Sequence, residues 1–250
     1  MKAVAIIPAR YASTRFPGKP LAIIGSKPML YHVYEKIKQS ELFEDIVIAT
    51  DDDRIANAAK SWNAWVIMTS PLHQTGTERC EEAYTLLNKE YDIVLNIQGD
   101  EPFISREPLS QLNGLFSDQK VGIATLIQRI NSLADLENTN IVKTVVRKNK
   151  QAIYFSRAPL PYLRDFSKED WIDKIPFWKH IGIYGFRPAV LNEIVKLSPS
   201  QLEMAEKLEQ LRWLDYGFEI FTEETTYQTL SVDTPDDLNK AENFYKVNTV

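Results

Sequence analysis

The stretch Val4-Ala-Ile-Ile-Pro-Ala-Arg-Tyr-Ala-Ser-Thr-Arg-Phe-Pro-Gly-Lys-Pro20 organises the predicted fold. Its first part, Val4 to Ile7, is an apolar run typical of a buried strand. The loop that follows carries three cations and a short hydroxyl, at Arg10, Ser13, Arg15 and Lys19. A strand that leads through a cationic loop toward a helix is a common phosphate-binding arrangement. We therefore predict that this loop binds phosphate, and an ordinary connection with solvated basic residues is the alternative.

The glycine fingerprints of two common nucleotide-binding loops are absent from the sequence. Lys19 is followed by Pro20 instead of the Ser or Thr of a Walker A loop, and Ser13 stands where its first glycine would be. None of the nine glycines forms a G-x-G-x-x-G pattern, which disfavours a dehydrogenase. Side chains are therefore expected to supply most of the phosphate contacts.

Composition and charge exclude several classes of protein. The chain has 250 residues, is 44% hydrophobic and 25% charged, and carries a net charge of −5. A negative chain is not expected to bind nucleic acid or membrane surfaces in general. Its one cysteine, Cys80, allows no internal disulfide. No leader pattern and no apolar run of about 20 residues is present, so a cytoplasmic location is expected.

Strand and helix patterns alternate along the first half of the chain and become mixed in the second half. The predicted fold class is α/β: a single domain with a predominantly parallel nucleotide-binding sheet flanked by helices, plus a mixed-sheet insertion. The nucleotide-binding part covers about 1–125 plus the C-terminal helix, and the insertion about 126–230. Residues 162–179 are predicted as a loop or an excursion toward a partner subunit. One long helix is predicted from Gln201 to Tyr216, with Ser200 as N-cap and Gly217 in the C′ position.

Two aspartates follow predicted strands that lie far apart in the sequence. Asp100 comes after the strand Ile93 to Ile97, and Asp233 precedes the C-terminal helix. Two carboxylates together with substrate phosphates commonly hold Mg²⁺. The alternatives are a turn aspartate for Asp100 and a helix cap for Asp233, and the cap is the more probable interpretation of Asp233 taken alone. Asp51 to Asp53 are interpreted as charges that favour the start of the next helix.

Two further groups of polar residues are candidates for ligand binding. The loop from His73 to Arg79 offers donors and acceptors suited to a pyrimidine base, or else is a polar surface loop with Thr77 as an N-cap. A second group is scattered in the sequence and comprises Arg157, His180, Tyr184, Glu209 and Gln210. Arg157 could pair with a carboxylate through two hydrogen bonds, and His180 and Tyr184 are expected to face the same side of one strand. Each of the five is individually more common as a structural residue.

Seven strings in this chain resemble the 3-deoxy-manno-octulosonate (Kdo) cytidylyltransferases, also called CMP-Kdo synthetases. They begin with Ile7–Pro20 and continue, in the family's order, with HQTGTER (73–79), NIQGDEP (96–102), AIYFSR (152–157), KHIGIY (179–184), LEQLR (208–212) and VDTP (232–235). Sialic acid cytidylyltransferases open similarly but usually carry glycines where this chain has Tyr11 and Ala12. The departures from the family are Thr75, where serine is common, and the divergent segments 129–140 and 162–178.

The resemblance implies that the anomeric hydroxyl of Kdo attacks the α-phosphate of CTP, giving CMP-Kdo and pyrophosphate for lipopolysaccharide. It implies Mg²⁺ held by Asp100 and Asp233, catalysis by these two with Arg10 and Lys19, and a homodimer. The implied sugar-binding residues are Arg157, His180, Tyr184, Glu209 and Gln210. The implied nucleotide-binding residues are Pro8, Ala9, Arg10, Ser13, Arg15, Lys19, His73, Gln74, Gly76, Thr77, Arg79, Gln98 and Gly99.

Two rival functions remain compatible with the sequence. One is a cytidylyltransferase for another sugar acid, such as 8-amino-Kdo or a sialic acid, because the pocket residues are too generic to exclude it. The other is a non-catalytic nucleotide-binding regulator on the same fold. The presence of both Asp100 and Asp233 argues against the regulator, since loss of a metal-binding pair is the expected mark of an inactive relative.

Overall fold

The computed structural model describes residues 1–12, 16–228 and 230–248. The chain forms two compact units, Met1–Ser110 with Gln228–Val250, and Gln111–Tyr227. The second unit is thus inserted in the sequence of the first, and it carries the mixed sheet that the sequence predicts. The structural divisions fall at 110–111 and 227–228, whereas the sequence placed them near 125 and 230.

The elements alternate regularly through the first 115 residues. In chain order they are β1 (Ala3–Ala9), β2 (Ile23–Ile24), β3 (Lys27–Pro28), α1 (Met29–Ser40), β4 (Asp45–Thr50), α2 (Asp53–Ser61), β5 (Trp65–Met68), α3 (Gly76–Leu87), β6 (Ile93–Asn96) and α4 (Arg106–Leu115). The last of these helices spans the division between the units.

The sheet of the first unit is parallel and has the strand order β6-β1-β4-β5. All seven residues of β1 are buried, because β1 is a central strand. The order requires a crossover between each parallel pair, and the intervening helices supply it. The carboxyl ends of β1 and β6 therefore meet at one edge of this sheet, where such folds bind ligands.

Elements from the middle and the end of the chain complete the two units. In chain order they are β7 (Ile123–Ile130), α5 (Leu133–Glu137), β8 (Lys143–Val146), β9 (Ala152–Ser156), α6 (Trp171–Lys174), β10 (Phe177–Phe186), α7 (Pro188–Ile194), α8 (Gln201–Glu206), α9 (Gln210–Asp215), β11 (Ile220–Glu224) and α10 (Pro235–Asn248). Helix α10 belongs to the first unit, where Ala241 and Val232 pack with Ile24 and Met29 in one apolar cluster.

The sheet of the second unit has the order β11-β7-β10-β8-β9. Only the β11–β7 pair is parallel, and the other three pairs are antiparallel. The parallel sheet of the first unit and this mixed sheet confirm the predicted α/β fold class. No helix in the described part of the chain is long and apolar enough to cross a membrane.

One sequence prediction about the second unit is wrong, and another is incomplete. The long helix predicted from Gln201 to Tyr216 is two short helices, because Lys207 adopts a left-handed conformation with φ 55° and ends α8. Ser200 caps α8 as predicted, and Gly217 follows α9 with φ 85° as a C′ glycine. Residues 162–179 are not only a loop: they contain α6, whose Trp171 is buried against Phe177.

Candidate active site

A cavity of about 260 Å³ lies in the first unit at the carboxyl ends of β1 and β6. Four chain segments that are distant in sequence supply its walls. The lining residues are Pro8, Ala9, Arg10, Lys19, Pro20, His73, Gln74, Thr75, Gly76, Arg79, Gln98, Gly99, Asp100 and Asp233. The cavity thus combines most of the residues predicted to bind nucleotide with the predicted metal-binding pair.

Lys19 joins the two predicted metal-binding aspartates. Its Nζ donates to Asp100 Oδ2 at 2.6 Å and to Asp233 Oδ1 at 3.0 Å. Burial would lower the pKa of Lys19, but the two carboxylates outweigh burial and raise this pKa. Lys19 is therefore a permanent cation held between two carboxylates in the wall of the cavity.

A backbone contact brings Asp233 to Asp100. The N–H of Val232 donates to the carbonyl of Asp100 at 3.0 Å, so the segment before α10 crosses the turn after β6. Thr234 is the N-cap of α10: its hydroxyl accepts from Asp237 N at 3.2 Å, and Pro235 is the first residue of the helix, a position that suits proline. Because Thr234 caps the helix, the cap interpretation of Asp233 is wrong, and its carboxylate faces Lys19.

The cationic loop leaves β1 beside the cavity. Arg10 is exposed, whereas Pro8 and Ala9 are the buried last residues of the strand. The loop closes through a hydrogen bond of 2.9 Å from Gly18 N to Tyr11 O, with Gly18 at φ 73°, a conformation that favours glycine. Ser13 and Arg15 lie outside the described residues, so their predicted phosphate contacts stay predictions.

The loop before α3 ends in a capping box instead of the predicted Thr77 cap. Thr75 Oγ1 accepts from Glu78 N at 3.1 Å, and the Glu78 carboxylate accepts in return from the N–H of Thr75. The helix therefore starts at Gly76, within the segment from His73 to Arg79 that the sequence analysis treats as a loop, and Thr77 is buried and does not line the cavity. The T-x-x-E spacing from Thr75 to Glu78 is the pattern in the sequence that indicates this capping box.

A carboxylate fixes His73 at the rim of the cavity. Glu82 Oε2 lies 2.6 Å from His73 Nε2 and also accepts from Ser70 N at 2.7 Å. Burial would raise the pKa of Glu82, but these hydrogen bonds and the charges of His73 and Arg79 lower it. The ionised Glu82 orients His73, whereas the side-chain amide of the exposed Gln74 donates to the nearby Leu72 carbonyl.

Arg79 is a buried side chain with structural partners. Only 3% of it is exposed, and it donates to Thr69 Oγ1. Its Nη2 lies 3.2 Å from Asp51 Oδ1, at ion-pair distance but without hydrogen-bond geometry. Asp52 caps α2, as expected for this acidic cluster. Asp51, in contrast, compensates the charge of Arg79 instead of acting at the helix start.

The turn after β6 brings Gln98 and Gly99 to the cavity. Gln98 Nε2 lies 3.3 Å from Asn96 Oδ1. A side chain on Gly99 would lie 3.4 Å from the Pro8 carbonyl and from Leu30 Cδ1. Gly99 therefore packs against β1 and also lines the cavity, where its predicted nucleotide contact stays a prediction.

Arg157, in the second unit, is held by backbone carbonyls. Its Nε donates to Glu206 O at 2.8 Å, its Nη1 to Thr139 O at 3.0 Å, and its backbone N–H to Glu206 Oε2 at 3.0 Å. Two of its five guanidinium N–H groups are thus used, and three are left for a carboxylate. Glu206, which the sequence did not single out, fixes the position of this arginine.

A β-bulge in β10 brings His180 and Tyr184 together. The register with β7 shifts between Ile181 and Tyr184, so that two residues of β10 have no partner. In a regular strand residues four apart are separated by about 13 Å, but here the two ring centroids lie 5.2 Å apart. The prediction that His180 and Tyr184 face the same side of the strand is confirmed, and the bulge brings their rings into direct contact.

Both rings of this pair are uncharged. Burial lowers the pKa of His180 to about 3 and raises the pKa of Tyr184 well above its usual value. The nearby Glu209 carboxylate raises the pKa of Tyr184 further. The Tyr184 hydroxyl is buried without a hydrogen-bond partner in the described chain, which is a costly state for a polar group unless a ligand completes it.

The low pKa of His180 predicts a specific dependence of stability on pH. The unfolded chain binds a proton at this side chain below about pH 6.5, whereas the folded protein does so only below its lowered pKa. Stability is therefore lost as pH falls from about 6.5 toward 3. We expect His180→Gln to remove this loss, which is about 1.4 kcal/mol per pH unit at most.

Urea unfolding at about pH 7 and about pH 5 measures this effect. The wild-type protein should lose about 2 kcal/mol more than the glutamine variant between these two conditions. Equal losses in both proteins would mean that His180 titrates normally in the folded state.

The helix break at Lys207 decides where Glu209 and Gln210 lie. Gln210 is the first residue of α9 and is 6% exposed, and Glu209 precedes it. Gln210 is therefore buried, whereas Glu209 is half-buried, and the two do not lie within one long helix. Their place at the start of a short helix puts Glu209 near Tyr184, so the structure brings these two sugar-site candidates together.

Comparisons with known proteins agree with this geometry. A family model described as cytidylyltransferase matches residues 4–245. A 3-deoxy-manno-octulosonate cytidylyltransferase from Phocaeicola vulgatus is 48% identical over 98% of both chains. One from Cytophaga hutchinsonii is 49% identical over 94% of both chains. This chain belongs to the 3-deoxy-manno-octulosonate cytidylyltransferase family.

Solved structures extend the comparison with the Kdo cytidylyltransferase family. The structure of a CMP:2-keto-3-deoxy-manno-octonic acid synthetase complexed with CTP superimposes with a TM-score of 0.90, 40% identity and 99% coverage of both chains. A cytidylyltransferase from Leptospira borgpetersenii has a TM-score of 0.65 at 19% identity, covering 99% of this chain and 87% of its own, which shows a shared fold alone. Family membership thus holds at the level of sequence and of fold.

Proposed function

We propose that this protein transfers CMP from CTP to the anomeric hydroxyl of Kdo. The hydroxyl oxygen forms a bond to the α-phosphorus, the bond from that phosphorus to the β-phosphate oxygen breaks, and pyrophosphate leaves as the hydroxyl loses its proton. The observation that carries this proposal is the convergence of Asp100 and Asp233 on one cation in the wall of the cavity. Relatives that share almost half of the sequence bear the name of this activity.

The aspartate pair fits Mg²⁺ as the cofactor. Both carboxylates already point at a single cation, within 3.0 Å of its nitrogen. No group of three or more potential protein ligands occurs among the residues described. That donor set suits Mg²⁺, which is usually held by one or two carboxylates with phosphate and water oxygens. Bound there, Mg²⁺ would supply charge neutralisation and a lower pKa for the sugar hydroxyl.

The chain's own residues would mainly bind and orient the nucleotide. Lys19 would exchange its two carboxylates for phosphate oxygens, and the exposed Arg10 would hold the leaving pyrophosphate, together with Arg15. The segment His73 to Gly76 would contact the cytosine base, with His73 oriented by Glu82. The buried Arg79 contacts Asp51 and Thr69, so it would stabilise the position of this loop.

The sugar acid would bind to residues of the second unit. Arg157 would contact its carboxylate, and the uncharged His180 and Tyr184 would contact its hydroxyl groups, with Glu209 and Gln210 beside them. His180 is neutral at physiological pH, which leaves Arg157 as the cation for the carboxylate in this group of five.

Replacing Arg157 with alanine tests this assignment. We expect the KM for Kdo to rise about tenfold or more, the loss of a charge-assisted contact, while the KM for CTP changes by less than about twofold. Arg147→Ala, which removes another arginine of the same unit, should change neither constant. Equal increases of both KM values would mean that Arg157 has only a structural role, through its contacts with Glu206 and Thr139.

The cellular setting follows from the reaction. We propose that the enzyme acts in the cytoplasm, where CTP is available, that CMP-Kdo is consumed in lipopolysaccharide synthesis, and that the protein is a homodimer. The resemblance to the family supports these three statements. Light scattering after size-exclusion chromatography measures the oligomeric state, and a mass of one chain, 28.8 kDa, would contradict the dimer.

Pyrophosphate release with a panel of nucleotides tests the proposed reaction. With Kdo and Mg²⁺ present, CTP should support turnover, whereas UTP, ATP and GTP should give at most about a hundredth of that rate. Comparable rates with UTP would contradict cytosine recognition by the loop around His73. No release with any nucleotide, from a folded protein that binds CTP, would favour the non-catalytic regulator.

A further inference from the structure

Thr125 lies inside the β-bulge that brings His180 and Tyr184 together. It is a fully buried residue of β7, and it lies outside the seven strings that resemble the Kdo cytidylyltransferases. Its hydroxyl Oγ1 lies 3.0 Å from the carbonyl oxygen of Ile181, where the bulge begins, and 2.8 Å from that of Ile183, within the bulge. The same Oγ1 lies 3.0 Å from His180 Nε2.

The single proton of this hydroxyl decides the protonation of His180. A carbonyl oxygen can only accept a hydrogen bond, and a hydroxyl has one proton to donate. If Thr125 donated to the histidine, two carbonyl oxygens would face its lone pairs at 2.8 and 3.0 Å. The proton is therefore directed to the carbonyls, and Thr125 Oγ1 must accept from His180. That requires the hydrogen of the neutral imidazole to be on Nε2.

We propose that Thr125 is a positioning residue that holds His180 in the Nε2–H form, so that Nδ1 accepts a hydrogen bond from a hydroxyl group of the sugar. The inference rests on the proposed function, because the sugar acid is the ligand. In this role His180 Nδ1 accepts a hydrogen bond from a sugar hydroxyl. Because a bare Nδ1 cannot donate, it is excluded as a partner of the sugar carboxylate.

Three observations around His180 agree with this role. Nδ1 has no hydrogen-bond partner within the described part of the chain, and Nε2 is committed to Thr125. The ring is packed edge-on against Phe155, with centroids 5.2 Å apart, in surroundings that keep its pKa far below the physiological range. The neighbouring Tyr184 hydroxyl is the complementary group, a donor without a partner. An acceptor beside a donor suits a polyhydroxylated ligand.

The nitrogen NMR spectrum of the free wild-type protein tests the protonation state directly. The chain has only three histidines, at positions 32, 73 and 180, so the spectrum of His180→Gln identifies the ring signals of His180. We expect a protonated Nε2 and a bare Nδ1 in the free protein. A hydrogen on Nδ1 would overturn the proposal without any need for a Thr125 variant.

Two variants of Thr125 separate positioning from packing. Thr125→Val keeps the branched shape and removes the acceptor, whereas Thr125→Ser keeps the hydroxyl. In the valine variant we expect the ring to lose its strict Nε2–H form and the KM for Kdo to rise about tenfold, the worth of one hydrogen bond, with the KM for CTP nearly unchanged. Serine should restore both the NMR signature and the KM.

The outcomes distinguish this proposal from the proposed function. A valine variant that keeps the Nε2–H form, or that raises both KM values equally, would overturn the role of Thr125 while Kdo turnover by the wild type persists. Absence of Kdo turnover in the wild type would instead overturn the proposed function, and the NMR result would still stand as a property of the free protein.

Discussion

Replacing Asp100 with asparagine is expected to lower kcat by about a thousandfold or more. The carboxylate of Asp100 makes the shorter of the two contacts with Lys19, at 2.6 Å. Asparagine keeps the shape of the side chain but removes the negative charge that a divalent cation requires. The fold should survive, because Asp233 still pairs with Lys19 and Asp100 still accepts the Val232 N–H through its backbone carbonyl.

A matched control keeps this result specific. Asp53→Asn makes the same chemical change at an exposed residue in the first turn of α2, and its kcat should stay within about twofold of the wild type. Steady-state pyrophosphate release and thermal unfolding should be measured on both variants. An Asp100→Asn enzyme that retains more than a tenth of the wild-type kcat would remove Asp100 from the metal-binding pair.

Replacing Lys19 with methionine is expected to lower kcat/KM for CTP by about a hundredfold, as phosphate oxygens lose a charge-assisted contact. The second expected effect is less obvious. Methionine leaves Asp100 and Asp233 facing each other without the ammonium that lies between them. The nucleotide-free variant should therefore unfold at a lower temperature than the wild type, because two like charges are brought together.

Magnesium without nucleotide provides the decisive measurement for Lys19. The cation should raise the Tm of Lys19→Met more than that of the wild type, where the ammonium competes for the same carboxylates. Lys60→Met, which removes an exposed lysine in the last turn of α2, should behave like the wild type. An equal effect of Mg²⁺ on all three proteins would mean that Lys19 does not occupy the cation position.

The sequence identified the components of the cavity better than their connections. Strand-end position and residue type pointed to Asp100 and Asp233 as candidates, and the cationic loop pointed to Lys19. Their meeting depends on a backbone hydrogen bond between Val232 and Asp100, two positions more than a hundred residues apart. Local patterns carry no information on such a contact, so they favoured the cap interpretation of Asp233, whereas in the structure Thr234 caps α10.

The second unit shows a different reason for incomplete prediction. The sequence predicted one helix over 201–216, but the chain turns at Lys207, and the ion pair of Glu203 with Arg212, at 2.6 Å, spans the two short helices. The bulge in β10 is likewise hydrogen-bonded to the buried hydroxyl of Thr125 on another strand. Both features place Glu209, His180 and Tyr184, and both arise from tertiary contacts that override the local pattern.

Pyrophosphate release from CTP and Mg²⁺, measured with Kdo, 8-amino-Kdo and a sialic acid in parallel, tests whether this protein is a Kdo cytidylyltransferase. We expect turnover with Kdo, far weaker turnover with the other two sugar acids, and CMP-Kdo as the product. Preference for 8-amino-Kdo would keep the site chemistry and replace the substrate. Silence with all three sugars, from folded protein that binds CTP, would contradict the claim that this chain is a Kdo cytidylyltransferase in activity as well as in family.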